Sequence, residues 1–596
     1  MSTMQHWLIR QIEIIIKWSQ NHLSKKQFIF LSSVLIGFTA GMAAVILKTF
    51  VHYIYLAATY EKLSDFRYIY LLLPLIGLIL TVFVVKRFLN NSLNKGLAQI
   101  HYAIAKRSSI LPINQTYDQV ITSSITVGFG GSVGLEAPIV ITGAALGSNY
   151  SRKYQLDPRE RTLILACGIA AGIGAAFNAP IAGVLFALEV LLLDISISAF
   201  TPLIIAAATG ALISKIVLNS QILLSFNLTE VFNYNNVPYY VFLGIFAGVI
   251  SVYHSKMFLY VESKFPNKSI VSYKKAIFAG VILALLIFVF PSLFGEGYQS
   301  IKFLANKTPE NLLTNSFFEQ FKSNPWFVLL FVGLLIFVKS IATALTIGGG
   351  GNGGNFAPSL FVGAYFGYFF SRLINLISTV NLPENNFTIV GMAGILSGIY
   401  HAPLTAIFLI AEITGGYTLM IPLMLVSSIS YAVSKYLEPH SMDTKNIAEK
   451  GEMLSSDRDK NVLSSMNIND FIDNQYPSLL PTMTLGDLVD IVSHSTKNCF
   501  PVLNQNNEFL GLIWLDDIRE IIFKFEIYDA VFVNELMVKP KIVLSNEYSM
   551  EVVMKKFDES GLWLIPVVDQ LKFSGFISKS SVFSDYRNKL KMNTIV

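Results

Sequence analysis

The sequence predicts an all-α polytopic membrane protein built from two repeats and followed by a soluble α/β module. Three observations carry this. Apolar residues make up 53% of the chain and charged residues only 14%, about half the charged share of a soluble globular protein, and mean hydropathy is +0.54. Apolar runs dominate from about residue 28 to about residue 437, whereas Asp, Glu and Lys return at soluble density from about residue 446. Motifs of the first half also recur in the second at a nearly constant offset.

The apolar runs fall at about 29–57, 68–87, 117–133, 138–150, 163–177, 179–193 and 199–218, then at about 237–260, 274–294, 326–347, 357–379, 387–399, 403–413 and 418–437. Several are shorter than the roughly 20 residues a full span needs, and Gly and Pro interrupt them. Broken helices are tolerated inside a bilayer only where the freed backbone is buried in protein or lines a cavity. That points to a transport pathway.

The repeat is the strongest organisational signal. Gly168 leads through Asn178-Ala179-Pro180 to Glu189, and Gly391 leads through His401-Ala402-Pro403 to Glu412. Gly to Pro is 12 positions in each (180−168, 403−391), and Pro to Glu is 9 in each (189−180, 412−403). Upstream, Gly134-Leu135-Glu136-Ala137-Pro138 is matched by Gly354-Asn355-Phe356-Ala357-Pro358, an offset of 220 against 223 for the first pair. Repeats with discontinuous helices at matching positions place a binding site at the repeat interface, near the bilayer midplane.

The flanks differ in character. Arg10, Lys17, Lys25 and Lys26 precede the first long apolar run, the positive-inside pattern of a cytoplasmic N-terminus. Residues 1–27 lack the uninterrupted apolar core of a signal peptide and read as an amphipathic segment on the membrane surface. A transmembrane domain over 28–445 (repeats 28–218 and 237–437), a linker at 446–462 and a tail at 463–596 follow. In the tail, Cys499-Phe500-Pro501-Val502-Leu503 and Phe509-Leu510-Gly511-Leu512-Ile513 read as strands, and Leu564-Ile565-Pro566-Val567-Val568 and Phe573-Ser574-Gly575-Phe576-Ile577 repeat them, a tandem α/β module. The two cysteines, Cys167 and Cys499, lie in different regions, so neither a disulfide nor a metal site is expected. A net charge of +5 calls for no nucleic acid.

The glycine-rich motifs carry the chemistry. In each, Pro sits where a helix begins, and a helix N-terminus inside a membrane presents free N–H groups and a positive dipole end, a ready anion site. The plain alternative is a Gly-rich turn between spans, which the paired repetition argues against. Residues 348–354 are no phosphate loop, because no Gly-Lys-Ser/Thr follows.

These motifs, with Ala176-Phe177-Asn178-Ala179-Pro180-Ile181-Ala182-Gly183-Val184-Leu185-Phe186-Ala187-Leu188-Glu189, resemble the CLC family of chloride channels and chloride/proton exchangers over nearly the whole membrane part. The tail resembles a pair of CBS domains. The resemblance implies an inverted-repeat helical fold, a homodimer with one pathway per subunit in a bacterial inner or plasma membrane, cytoplasmic termini, and chloride or another small anion as the transported species. It implies that Glu136 is the gate, occupying the anion site when ionised and leaving it when protonated. The anion-binding positions it implies are Gly134, Leu135, Asn355 and Phe356.

Three positions depart from the family pattern. Lys95, in Asn94-Lys95-Gly96-Leu97-Ala98, stands where the family has a Ser at the central anion. Asp443 stands where it has a Tyr, and Val190 stands where many exchangers have a proton-relaying glutamate. Lys95 and Asp443 should therefore ion-pair within about 4 Å, or face one another across a gap that one anion fills. Val190 favours passive or gated conduction over a proton-coupled exchanger with a non-standard route. Glu189, which recurs as Glu412, reads as structural. In the tail the nucleotide pattern is half missing (Trp514 and Asp517, then Ser578 and Ser581), so no cofactor is expected, with adenine nucleotide the one alternative. The rival from another class is an intramembrane hydrolase with Ser132 as nucleophile and His101 or His401 as base, which requires a Ser/His hydrogen bond.

Overall fold

The structure, a computed structural model, describes residues 16–58, 69–89, 91, 93, 95–106, 108–191, 199–218, 232–265, 271–314, 316–415, 417–449, 463 and 466–594. It divides into two compact units, Met1–Met453 and Leu454–Val596.

Among the described residues the regular elements of the first unit are helices. Its first repeat holds α1 (Lys25–Ala58), α2 (Ile69–Phe88), α3 (Ala98–Lys106), α4 (Gln115–Gly128), α5 (Glu136–Lys153), α6 (Pro158–Phe177), α7 (Pro180–Phe186, continuing as a π turn over Ala187–Leu191) and α8 (Phe200–Val217). The second holds α9 (Val237–Ser263), α10 (Tyr273–Val289), α11 (Tyr298–Ala305), α12 (Pro325–Gly348), α13 (Phe356–Ile377), α14 (Glu384–Tyr400), α15 (Pro403–Ile413) and α16 (Met420–Leu437). Among the described residues seven helices are long and apolar enough to cross a bilayer. The apolar runs locate every one of these elements except α3 and α11. Those two are short and amphipathic, so neither registers as an apolar run. The sequence places a surface segment at 1–27; residues 1–15 lie outside the described ones, and α1 already begins at Lys25. Of the 446–462 linker, 446–449 is helical and 450–462 lies outside the described residues.

The two repeats grip each other reciprocally. Gly134 N donates to Gly354 O at 2.9 Å, and Gly354 N donates to Gly134 O at 2.8 Å, an antiparallel bridge. On either side, Ser132 N donates to Thr346 Oγ1 (3.2 Å) and Asn352 N to Thr126 Oγ1 (3.0 Å). Lys339 Nζ donates to Ser132 Oγ (2.8 Å) while Asn352 Nδ2 donates to Gln119 Oε1 (2.9 Å). Each pair is one contact seen twice, related by the same offset of 220 (352−132, 346−126, 339−119). Inversion follows, since only antiparallel segments exchange hydrogen bonds in this way.

Glu189 and Glu412 supply a second reciprocal grip. Glu189 accepts from Leu404 N (3.1 Å) and Thr405 N (2.7 Å), at the start of α15. Glu412 accepts from Ile181 N (3.1 Å) and Ala182 N (2.8 Å), at the start of α7. Each carboxylate satisfies helix-end N–H groups that no intrahelical carbonyl reaches. Just upstream, Asn178 and His401 both take left-handed backbone (φ 54° and 56°) to turn the chain before Ala-Pro.

The second unit is a tandem repeat. Strands β1 (Cys499–Leu503) and β2 (Phe509–Trp514) form one antiparallel hairpin, and β3 (Leu564–Asp569) and β4 (Lys572–Ser578) the other. The register slips after Val502 in one and after Val567 in the other, and parallel bridges join Leu479 to Val502 and Leu544 to Val567. All are 65 residues apart (567−502, 544−479). Helices α17 (Leu485–Ser493) and α18 (Met550–Ser560) pack at the same spacing, and α19 (Lys579–Thr594) ends the unit. Both cysteines are free and buried, and burial pushes the Cys499 thiol up to about 12, leaving it a poor nucleophile and metal ligand.

The Glu189 and Glu412 caps yield a stability prediction. Glu189→Ala and Glu412→Ala should each destabilise the detergent-solubilised protein by about 1–2 kcal/mol. Because they cap different helices, the double variant should lose about the sum. Thermal unfolding of the four proteins checks this; a double variant as stable as wild type would remove the caps from the account.

Candidate functional site

Helices α5 and α13 begin at the Gly134–Gly354 bridge, so two helix N-termini meet there. Glycine is obligatory at this crossing. A Cβ on Gly134 would stand 2.1 Å from Glu136 Oε2 and 2.8 Å from Ala357 Cβ, and one on Gly354 would stand 2.6 Å from Ala137 Cβ. Leu135 and Asn355 are the matching N-cap residues, and neither side chain caps its own helix. The end amides therefore remain available to an outside acceptor.

That acceptor is Glu136. Its side chain is 3% exposed, and Oε1 takes a hydrogen bond from the Tyr298 hydroxyl. The carboxylate also faces the amides of Glu136 and Ala357, one from each helix start. The carboxylate thus lies at the junction of both dipoles.

Phe356 stands behind the junction in an aromatic cluster, with ring centroids 5.6 Å from Phe177, 6.0 Å from Phe186 and 5.5 Å from Tyr400. Asn355 is held by two residues that the sequence reading did not select. His254, fully buried on α9, lies with Nε2 3.0 Å from Asn355 Oδ1, and Asn355 Nδ2 lies 3.0 Å from Met442 Sδ.

A cavity of about 200 Å³ opens beside this junction. Lys95, Asp443, Asn355, Tyr400, Glu262 and Gly354 are among its lining residues. The structure so brings together Lys95, Asp443 and Asn355 from three distant stretches of chain. Lys95 and Asp443 do not touch: Lys95 Nζ donates to Ile347 O at 2.9 Å, in the last turn of α12, where a cation suits the helix dipole. Asp443 Oδ2 is buried without a hydrogen-bond partner. The direct ion pair is therefore absent, and both residues line the same cavity.

Val190 is apart from these groups. It lies in the π turn after α7 and packs, half-buried, on the apolar core. Ser132 accepts from Lys339, not from a histidine. His401 Nε2 is 3.5 Å from Ser434 Oγ, and His101 Nε2 has no partner. Neither His101 nor His401 pairs with Ser132.

Sequence reasoning missed a group of charges on the other side of Glu136. Lys48 Nζ donates to the Ala175 carbonyl (3.2 Å) and to that of Ala176, at the end of α6. Lys339 is fully buried, with Gly295 O at 3.3 Å and the Phe361 ring centroid at 4.8 Å. Glu296, just before α11, faces the Leu135 amide and lies within electrostatic reach of Glu136, Lys48 and Lys339. The available signal was the presence of lysines inside apolar runs, since intramembrane charges are costly and usually functional.

Comparison with known proteins agrees with this architecture. The family model described as voltage gated chloride channel matches residues 76–435. The chain is 26% identical over 503 residues to the chloride channel protein CLC-e of Arabidopsis thaliana, covering 76% of this chain and 68% of that one. It is 28% identical over 369 residues to a putative chloride channel protein ClcB-like of Ralstonia nicotianae (61% and 82%). It is also 26% identical over 336 residues to the voltage-gated ClC-type chloride channel ClcB of Escherichia coli (55% and 75%). Among solved structures, a slow cyanobacterial Cl−/H+ antiporter superposes with a TM-score of 0.61 at 20% identity, covering 72% of this chain and 98% of that one. A eukaryotic CLC transporter gives 0.61 at 19% (93% and 97%), and a CLC-type fluoride/proton antiporter 0.55 at 20% (70% and 96%). The matched segment runs from within α2 to within α16 and includes the α5–α13 junction, and the chain is an integral membrane protein of the voltage gated chloride channel (CLC) family.

Proposed function

We propose that the protein conducts small inorganic anions, chloride first among them, through a pathway closed at one end by Glu136. The observation that carries this reading is the place of the Glu136 carboxylate, which faces amides from the starts of both α5 and α13. Such a position suits an anion as well as it suits a carboxylate. A carboxylate there competes with the anion while ionised and yields when a proton cancels its charge. Gly134, Leu135, Asn355 and Phe356 supply the backbone of the site, and His254 and Met442 fix the Asn355 side chain.

The inner cavity tunes the anion's approach. Lys95 offers a positive end, while Asp443 and Glu262 oppose it. Val190 leaves no carboxylate where the family's exchangers relay protons, which favours gated passive conduction. A second reading, proton-coupled exchange, draws on Asp443: its unpartnered Oδ2 faces the anion cavity, and two of the superposed structures are antiporters. By family analogy the protein is a homodimer in a bacterial inner or plasma membrane, with both termini cytoplasmic. The 65-residue tandem repeat of the second unit supports a regulatory pair of CBS domains. There Ser578 Oγ accepts from Ser581 N at 3.1 Å, using the hydroxyl to start α19 and leaving less of it for a nucleotide.

Glu136→Gln, which mimics the protonated gate, should leave anion efflux from liposomes insensitive to pH. A variant that keeps the wild-type pH profile would exclude Glu136 as the gate.

An imposed chloride gradient should drive no uphill proton movement. Proton pumping at a fixed ratio would establish the exchanger reading, and its loss in Asp443→Asn would assign the relay to Asp443.

Removing a charge from the inner cavity should change chloride affinity by about tenfold. Asp443→Asn should tighten it and Lys95→Met weaken it. Titration calorimetry measures both, and equal affinities in all three proteins would place these side chains outside the anion's field.

A further inference from the structure

The loops before α3 and α11 occupy equivalent places in the two repeats. Lys95, three residues before α3, borders the cavity beside Asn355. Glu296, two residues before α11, faces the amide of Leu135, the first repeat's counterpart of Asn355. Inversion therefore sets Glu296 and Tyr298 against the Glu136 side of the junction.

The charged and titratable groups facing one another there come from five elements. Glu136 comes from α5, Glu296 from the loop before α11, Tyr298 from α11, Lys48 from α1 and Lys339 from α12. Tyr400 of α14 also lies within the field of Glu136. Both lysines are anchored, Lys48 on the last carbonyls of α6 and Lys339 on Ser132 Oγ and Gly295 O. The Glu136 side chain is buried, and its carboxylate faces the amides of Glu136 and Ala357. Two ammonium groups and two carboxylates sum to zero. Two neighbouring carboxylates repel, and each raises the other's hold on a proton.

We infer that the outer gate is a two-carboxylate unit, in which Glu296 is a second proton-binding group that sets the proton affinity of Glu136. The inference rests on the gate reading of Glu136 and adds a residue to it. Its consequence is a coupling of proton to anion. One proton taken from water onto the pair raises the cluster's charge from zero to +1, and one anion entering at the vacated amides restores zero. Tyr298 opposes the step, because its hydroxyl donates to Glu136 Oε1 and so favours the ionised form. Glu296 and Tyr298 are thus positioning residues, with opposite effects on the same proton.

The test is chloride efflux from liposomes holding the full-length protein, recorded against pH, for wild type, Glu296→Gln, Glu296→Asp, Tyr298→Phe and Glu136→Gln. Glu296→Gln removes the neighbouring negative charge, so the proton concentration for half-activation should rise about tenfold and the titration should become shallower. Glu296→Asp should restore the wild-type midpoint. Tyr298→Phe, which keeps the ring, should move the midpoint the opposite way, to lower proton concentration. A merely structural role would not move the two midpoints in opposite directions. If Glu136→Gln abolishes the pH dependence while Glu296→Gln keeps the wild-type midpoint and slope, the two-carboxylate unit is overturned and the gate reading stands. If Glu136→Gln itself keeps the wild-type profile, the gate reading falls and this inference falls with it.

Discussion

Two hydrogen bonds between Gly134 and Gly354 hold the molecule's working parts in place. They tie the starts of α5 and α13 together back to back, where any side chain at either residue would collide with its neighbours. Bringing two helix N-termini together inside a membrane leaves N–H groups without intrahelical partners, and no bulk water is present to satisfy them. The fold meets that constraint by duplication. Thr126 and Thr346 take the amides just upstream, Gln119 and Lys339 hold the side chains of Asn352 and Ser132, and a carboxylate or an anion takes what remains at the helix ends. Glu189 and Glu412 solve the same problem a second time at α15 and α7.

Against this symmetric frame the charges are asymmetric. Where the first repeat puts Gln119 the second puts Lys339, and where the loop before α3 carries Lys95 the loop before α11 carries Glu296. The junction therefore has one face with two carboxylates and two ammonium groups, and another with Lys95, Glu262 and Asp443 around a cavity. Buried charges persist only when compensated. Here compensation extends across helices of both repeats, so an ion or proton arriving on either face disturbs a shared balance.

Much of this was legible in the sequence. The offsets of 220 and 223 gave the repeat and therefore which glycines face each other, and an acidic residue two positions after such a glycine marked Glu136. The break in composition near residue 446 falls close to the division between the two units. The missed contacts have one physical cause: they join stretches with no shared sequence signal. His254 reaches Asn355 across 101 residues and Tyr298 reaches Glu136 across 162. The loops at 95–98 and 295–298 share only a glycine, so their equivalence emerges from position in space. Helix α11 escaped because hydropathy registers apolar runs, and this helix is short and amphipathic. Lys48 and Lys339 were visible as charges in apolar runs, yet nothing local says whether such a lysine meets a carbonyl, a carboxylate or solvent.

The central claim is that the carboxylate of Glu136 occupies the position an anion takes. Crystals of Glu136→Gln grown in bromide and recorded at the bromine edge test it most directly. The account predicts an anomalous peak between the starts of α5 and α13, within hydrogen-bond reach of the Glu136→Gln and Ala357 amides, with the mutant side chain displaced from them. An amide side chain unmoved from the carboxylate's place, with no bromide at those N–H groups, would contradict it.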